Sequence, residues 1–149
     1  SRDEVDRMLD PRAMRQRPGA VVIGSDQVLS VGSRLLHKAK DMAEARENLR
    51  QLRGMPHELH SAVALAGAGT VTTTHVDTAR LTMRNFSDEF LDGYILRTGT
   101  ACLESVGGYQ IEAMGSQLFA RIEGDHFTIL GLPLLLLLEE LRLQGVLLA

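Results

Sequence analysis

The stretch from Glu58 to Met83 is the strongest constraint on how this chain can fold. Leu59, Val63 and Leu65 fall on one side of an alternating run that ends at Ala66, and the Thr-rich run from Val71 to Met83 follows. Between the two runs lies Gly67-Ala68-Gly69. Period-two alternation bounded by glycine reads as two long strands joined by a turn, because successive side chains of a strand point to opposite faces. A β-sheet is therefore fixed, and the other segments must cover it.

Helical signals supply the cover. Asp41 can cap the first amides of a helix over Asp41 to Arg53, Glu44 three residues later completes a capping box, and Gly54 supplies the stop. Met42, Ala45, Leu49 and Leu52 form its apolar face. Ser87 caps a second helix with the stripe Phe90, Leu91, Tyr94 and Ile95, and Pro133 opens a last helix that Gly145 ends. The opening strand runs from Ala20 to Leu29, and a turn at Gly32-Ser33 leads into "RLLHKAKD". "SVGGYQIEAMG" breaks the regular pattern before "QLFARIEGD" returns to strand. The charged stretch Ser1 to Gly19 reads as a short helix and a polar connector ending at Pro18-Gly19. No repeat or linker divides the chain, so one domain over 1–149 is expected, of α/β class with a mixed, twisted sheet flanked by helices.

With 149 residues, 44% hydrophobic and a net charge of -3, the chain can bury a core of its own. The mildly acidic balance gives no electrostatic reason to expect a nucleic-acid partner. The run "LGLPLLLLL" is shorter than the roughly 20 residues a membrane span needs and leads straight into Glu139-Glu140, so no membrane partner is expected. Leu134 to Leu138 are apolar all round, which suits burial on several sides or a contact between two copies, a homodimer. A single cysteine, Cys102, excludes an intrachain disulfide and fits a reducing, cytoplasmic setting.

The chemistry is concentrated where the opening strand, "VVIGSDQVL", meets an acid. Alone, Asp26 reads as a strand-end residue that caps a turn. Lys38 lies beyond a turn, where a hairpin could return its ammonium toward Asp26; alone it reads as a surface lysine before a helix. Glu112 sits in the Gly-flanked loop "YQIEAMG", where a ligand can approach the backbone closely. Alone it reads as a solvated loop acid. "GDHFTILGLP" carries the start of the last helix to the same edge of the sheet. His57 and His60 in "HELH" are three apart in a strand and so face opposite ways, which argues against a shared metal.

Taken together and in order, these blocks resemble the Maf-type nucleoside triphosphate pyrophosphatases. The resemblance runs from about Val21 to the C-terminus through "VVIGSDQV", "LLHKAKD" in place of the family's G-K-P, "LRQLRGMPHELHSAVAL", "VDTARLTMRNFSDEFLDGY", "GGYQIEAMGSQLFARIEGD" and "TILGLPL". It implies a Maf-like fold, also similar to inosine-triphosphate pyrophosphatase, and hydrolysis of a nucleoside triphosphate to the monophosphate and pyrophosphate with a divalent cation, Mg²⁺ or Mn²⁺. Asp26 matches the family's proton acceptor and metal ligand, and Lys38 its phosphate-contacting lysine, with His37 and Ala39 replacing the usual Gly and Pro. Gln27 with Glu112 is similar to the subgroup acting on 7-methyl-GTP. A carboxylate at 112 suits that base, since it accepts from both N1-H and N2-H of a guanine edge. The family's Ser-rich, Arg-containing phosphate loop and first strand have no counterpart here, so the chain is expected to cover the C-terminal three quarters of the fold. Two readings follow: a pyrophosphatase using Asp26, Lys38, Gln27 and Glu112, or a truncated, inactive relative that binds nucleotide or a protein partner.

Overall fold

A computed structural model describes residues 20–67 and 70–148. The expected helix and connector before Ala20, and positions 68–69 of the expected turn, lie outside the described residues. Five strands form one sheet: β1 (Val21–Val31), β2 (Arg34–Leu36), β3 (Pro56–Gly67), β4 (Thr70–Met83) and β5 (Phe119–Glu123). Their order is β2-β1-β3-β4-β5. The helices are α1 (Met42–Leu52), α2 (Asp88–Thr98), α3 (His126–Leu130) and α4 (Leu134–Leu143), with 3₁₀ turns between α2 and β5. The α/β class stands. The sheet is antiparallel in both pairings with defined register, β1 with β2 and β4 with β5, where the sequence suggested a mixed sheet. The connection explains the first of these pairings, because the two residues between β1 and β2 can close only a hairpin, whereas parallel neighbours need a crossover of roughly a dozen residues or more.

By packing, the described residues divide into two compact units that alternate along the chain. One takes the residues up to Gln27, 61–78 and those from Asp125 onward; the other takes Val28–His60 and Ala79–Gly124. Because each unit is assembled from separate segments, no linker marks the division in the sequence.

In the first unit, Val63 and Leu65 of β3 pack on Leu137 and Leu141 of α4, with Val21, Leu132 and Leu134 against them. The leucine run thus buries one stripe, and Leu135 remains 57% exposed. Glu140 ties α4 to β4 by accepting from Thr73 Oγ1 at 2.8 Å. The short α3 was missed in the sequence, being only five residues long. It exists because both ends are capped. The Asp125 carboxylate accepts from the amides of Phe127 and Thr128, and Gly131, at φ 111°, takes the left-handed conformation that closes a helix most cheaply as glycine.

In the second unit, β2 turns the chain back along β1, with Leu29 opposite Leu36 and Val31 opposite Arg34. On α1 the Asp41 carboxylate accepts from the Glu44 amide at 2.8 Å, and Glu44 Oε2 accepts from the Lys40 amide, one residue before the position expected for a capping box. Ser87 caps α2 by accepting from Phe90 N. Leu49, Leu52, Leu59, Leu81, Leu91 and Tyr94 are fully buried and form the core. Cys102 is buried too; its thiol donates to the Gly99 carbonyl at 3.0 Å, and burial raises its pKa. A thiol held protonated in this way is a packing residue.

Candidate functional site

β1 runs on through Val31, so Asp26 stands in the middle of the strand and not at its end. The strand runs past Leu29 because Ser30 and Val31 pair with Leu35 and Arg34 of β2. Gln27, taken from the sequence as a residue that faces a ligand, has its amide bonded inside the fold. Its amide nitrogen donates to Ser61 Oγ at 2.9 Å, to the Thr128 carbonyl at 3.0 Å and to the Ile129 carbonyl at 3.1 Å. On the other side of Asp26, Ser25 Oγ donates to the Gly131 carbonyl at 3.0 Å. Residues 25 and 27 therefore turn toward α3, and strand alternation sends Asp26 the other way. Its side chain is exposed, and Oδ1 accepts from the Gln27 backbone N-H at 2.8 Å.

The support beneath Gln27 continues. Ser61, 0% exposed, donates to the Thr128 carbonyl at 2.7 Å, and Thr128, also 0% exposed, donates from Oγ1 to Asp77 Oδ2 at 2.6 Å. Ser61, Asp77 and Thr128 were not singled out from sequence; each is a polar residue in an otherwise apolar or Thr-rich strand or beside a helix cap, which is a weak signal. Asp77, Asp125, Thr128 and Pro133 also line a cavity of about 220 Å³ in this unit.

Lys38 and Glu112 belong to the second unit, and both are exposed. Lys38 lies in the irregular stretch after β2, before the Asp41 cap. Glu112 sits at the tip of a loop folded over one acceptor: the Gln110 carbonyl receives the amides of both Ala113 and Gly115 at 3.1 Å. Only glycine fits at 115, since a Cβ there would lie 2.4 Å from that carbonyl oxygen. Gly115→Ala is expected to open this loop and cost about 1–3 kcal/mol of stability, the usual size of an overpacking penalty. Chemical denaturation measures the cost, and altered backbone resonances over 110–115 locate it.

His57 and His60 face opposite ways, as their spacing predicts. His57 is 2% exposed and its Nε2 lies 2.7 Å from Tyr109 Oη, while His60 Nε2 lies 2.8 Å from Ser30 Oγ. Among the described residues, no group of three or more His, Cys, Asp or Glu is placed to hold a metal ion. An exposed lone carboxylate such as Asp26 fits a different kind of cation site. Mg²⁺ keeps several waters and is commonly held by one or two carboxylates together with the phosphates of its substrate. Among the described residues, no helix is long and apolar enough to cross a membrane.

A family model described as Maf-like protein matches residues 4–144. The match begins well before Val21, where the sequence reading placed its start, because the charged opening segment carries no chemical motif by which to recognise it. A 7-methyl-GTP pyrophosphatase of Rhizobium meliloti is 53% identical over 126 residues, covering 85% of this chain and 63% of the relative. A 7-methyl-GTP pyrophosphatase of Brucella abortus is 52% identical over 85% of this chain and 64% of its own length. A nucleoside triphosphate pyrophosphatase of Caulobacter vibrioides is 50% identical over 98% of this chain and 74% of its own length. The chain thus spans a little under two thirds of the two 7-methyl-GTP pyrophosphatases it matches.

Proposed function

The chain belongs to the Maf-like protein family, and from that premise we propose that it hydrolyses a nucleoside triphosphate between the α and β phosphates, with 7-methyl-GTP as the preferred substrate. The observation that carries this reading is the Asp26 carboxylate, exposed in mid-strand while Ser25 and Gln27 on either side of it are hydrogen-bonded to Gly131 and Ser61. Such a carboxylate can take a proton from a water as that water attacks the α phosphorus. The bond from the α phosphorus to the bridging oxygen breaks, and pyrophosphate leaves with the electron pair.

Lys38 contributes a compact positive charge for the phosphate oxygens. Glu112 reads the base: a carboxylate only accepts, so it pairs with the N1-H and N2-H donors of a guanine edge and repels the acceptors of uracil or thymine. The positive charge of an N7-methylated ring adds to that preference. Asp26 is also the residue that would hold a divalent cation, Mg²⁺ or Mn²⁺, whose contribution is to offset charge on the phosphates. The names of the 7-methyl-GTP pyrophosphatases of Rhizobium meliloti and Brucella abortus support the choice of substrate.

Pyrophosphate release from a panel of triphosphates with Mg²⁺ or Mn²⁺ tests the reading. Turnover fastest on 7-methyl-GTP and slowest on UTP and dTTP is expected. Nucleotide binding without release from any member would instead identify a chain that binds without turnover.

A further inference from the structure

The loop that carries Glu112 opens directly after Tyr109 and closes directly before Phe119, and the rings of these two residues meet edge to face with centroids 4.9 Å apart. His57 of β3 stands against both, its ring 5.7 Å from that of Tyr109 and 6.0 Å from that of Phe119. All three belong to the second unit. The neck of the loop is therefore a cluster of rings from three separate segments, joined by one hydrogen bond between His57 Nε2 and Tyr109 Oη at 2.7 Å. The backbone entering the loop is held as well. Ser105 Oγ donates to the Tyr109 carbonyl at 2.6 Å, and Tyr94 Oη donates to the Gly108 carbonyl at 3.2 Å. Glycine at 107 leaves room for the ring, since a Cβ there would lie 2.6 Å from Tyr109 Cε1.

Ring contacts resist separation more than sliding, because apolar attraction is non-directional. A hydrogen bond has a preferred distance and angle. The bond from Tyr109 to His57 thus sets where the loop starts along β3, and with it where Glu112 stands three residues on.

We infer that Tyr109 and His57 are positioning residues for Glu112, the hydrogen bond between their side chains holding the loop where its carboxylate meets the base. The inference rests on the base-reading role proposed for Glu112. Both positioning residues are buried, so an effect of either on the choice of substrate must run through the loop.

Tyr109→Phe keeps the ring and removes the hydroxyl. Pyrophosphate release from 7-methyl-GTP and UTP by the parent chain, Tyr109→Phe, Glu112→Gln and the variant with both changes decides the matter, together with amide hydrogen exchange over residues 110–115. Tyr109→Phe is expected to raise KM for 7-methyl-GTP about tenfold, the size of a weakened hydrogen bond to a charged group, with kcat and the KM for UTP within a factor of about three. In the Glu112→Gln background the same change should move KM by less than about twofold, because residues that act through one contact are not additive. Exchange over 110–115 is expected to quicken about five- to tenfold while exchange in α4 stays unchanged.

An equal rise in KM with and without Glu112, a fall in kcat on both substrates alike, or unchanged exchange over 110–115 would overturn the inference. If Glu112→Gln by itself leaves the preference between substrates unaltered, the base-reading role fails and the inference with it. If the parent chain releases no pyrophosphate, the proposed function fails, and the exchange measurement still decides whether the bond holds the loop. Should Tyr109→Phe not fold, His57→Phe with Tyr109→Phe, which removes the bond without leaving either partner unpaired, is read in the same ways.

Discussion

Replacing Asp26 with asparagine is expected to lower pyrophosphate release by at least about a hundredfold while the chain still folds and still binds nucleotide. Loss of a positioned general base costs roughly a hundred- to ten-thousandfold in rate. Asparagine keeps the shape and the oxygen that accepts from the Gln27 N-H, so the strand loses no hydrogen bond. What disappears is the charge that takes a proton and meets a cation. The effect should fall on kcat, because the acid acts as the water attacks, and nucleotide affinity should change only a few-fold. Steady-state kinetics with a direct binding measurement separate the two. Asparagine activity within tenfold of the parent would remove Asp26 from the chemistry.

A second large effect is expected in acid, away from the proposed site. His57 is buried between the rings of Tyr109 and Phe119, and its Nε2 meets Tyr109 Oη. Its Nδ1 is buried without a hydrogen bond of good geometry, although the Met55 backbone beside it partly offsets the loss. Burial lowers the imidazole pKa from 6.5 to about 4. Burial also raises the pKa of Tyr109, so both rings are neutral and Nε2 and Oη share one hydrogen bond.

Between pH 6.5 and 4 the unfolded chain binds more protons than the folded one. The stability is therefore complete above the unfolded pKa and is lost as the pH falls through that window, by about 3 kcal/mol in all. The carboxylates held low by their partners, Glu47 chiefly by Arg50 and Asp92 chiefly by Arg46, add losses that begin only near the unfolded carboxylate range, at the acid end of this window, so its upper part belongs to His57. Denaturant midpoints at pH 7 and 4.5 measure the loss. Changing both partners, His57→Phe with Tyr109→Phe, removes the titration without leaving a buried polar group unpaired, so stability near pH 7 should be nearly kept and the acid slope removed. A parent chain equally stable at both pH values would contradict this account of His57.

Much of the fold was readable because its strongest signals are local. Asp41 and Ser87 cap the helices they were expected to cap, and the alternation around Leu59 to Leu65 marks β3 because every second side chain meets the core. The short elements were not readable. β2 has three residues and α3 five, and neither length can show a period. The pairing of β4 with β5 and the two interleaved units depend on contacts between distant segments, which no local pattern encodes.

The site was legible in part. Residues 26, 38 and 112 stand out as charged groups at strand, hairpin and glycine-loop positions, and all three side chains are exposed. The setting of Gln27 was not legible, because its partners in the fold are remote in sequence. Those partners, Ser61 and two carbonyls of α3, lie 34 to 102 positions away in the chain.

The products formed from 7-methyl-GTP and Mg²⁺ by the purified chain test the central claim most directly. The account predicts 7-methyl-GMP and pyrophosphate in equal amounts, with oxygen from labelled water appearing in one product only, the monophosphate if the attack is on the α phosphorus. Formation of 7-methyl-GDP with orthophosphate, or recovery of the intact triphosphate, would contradict it.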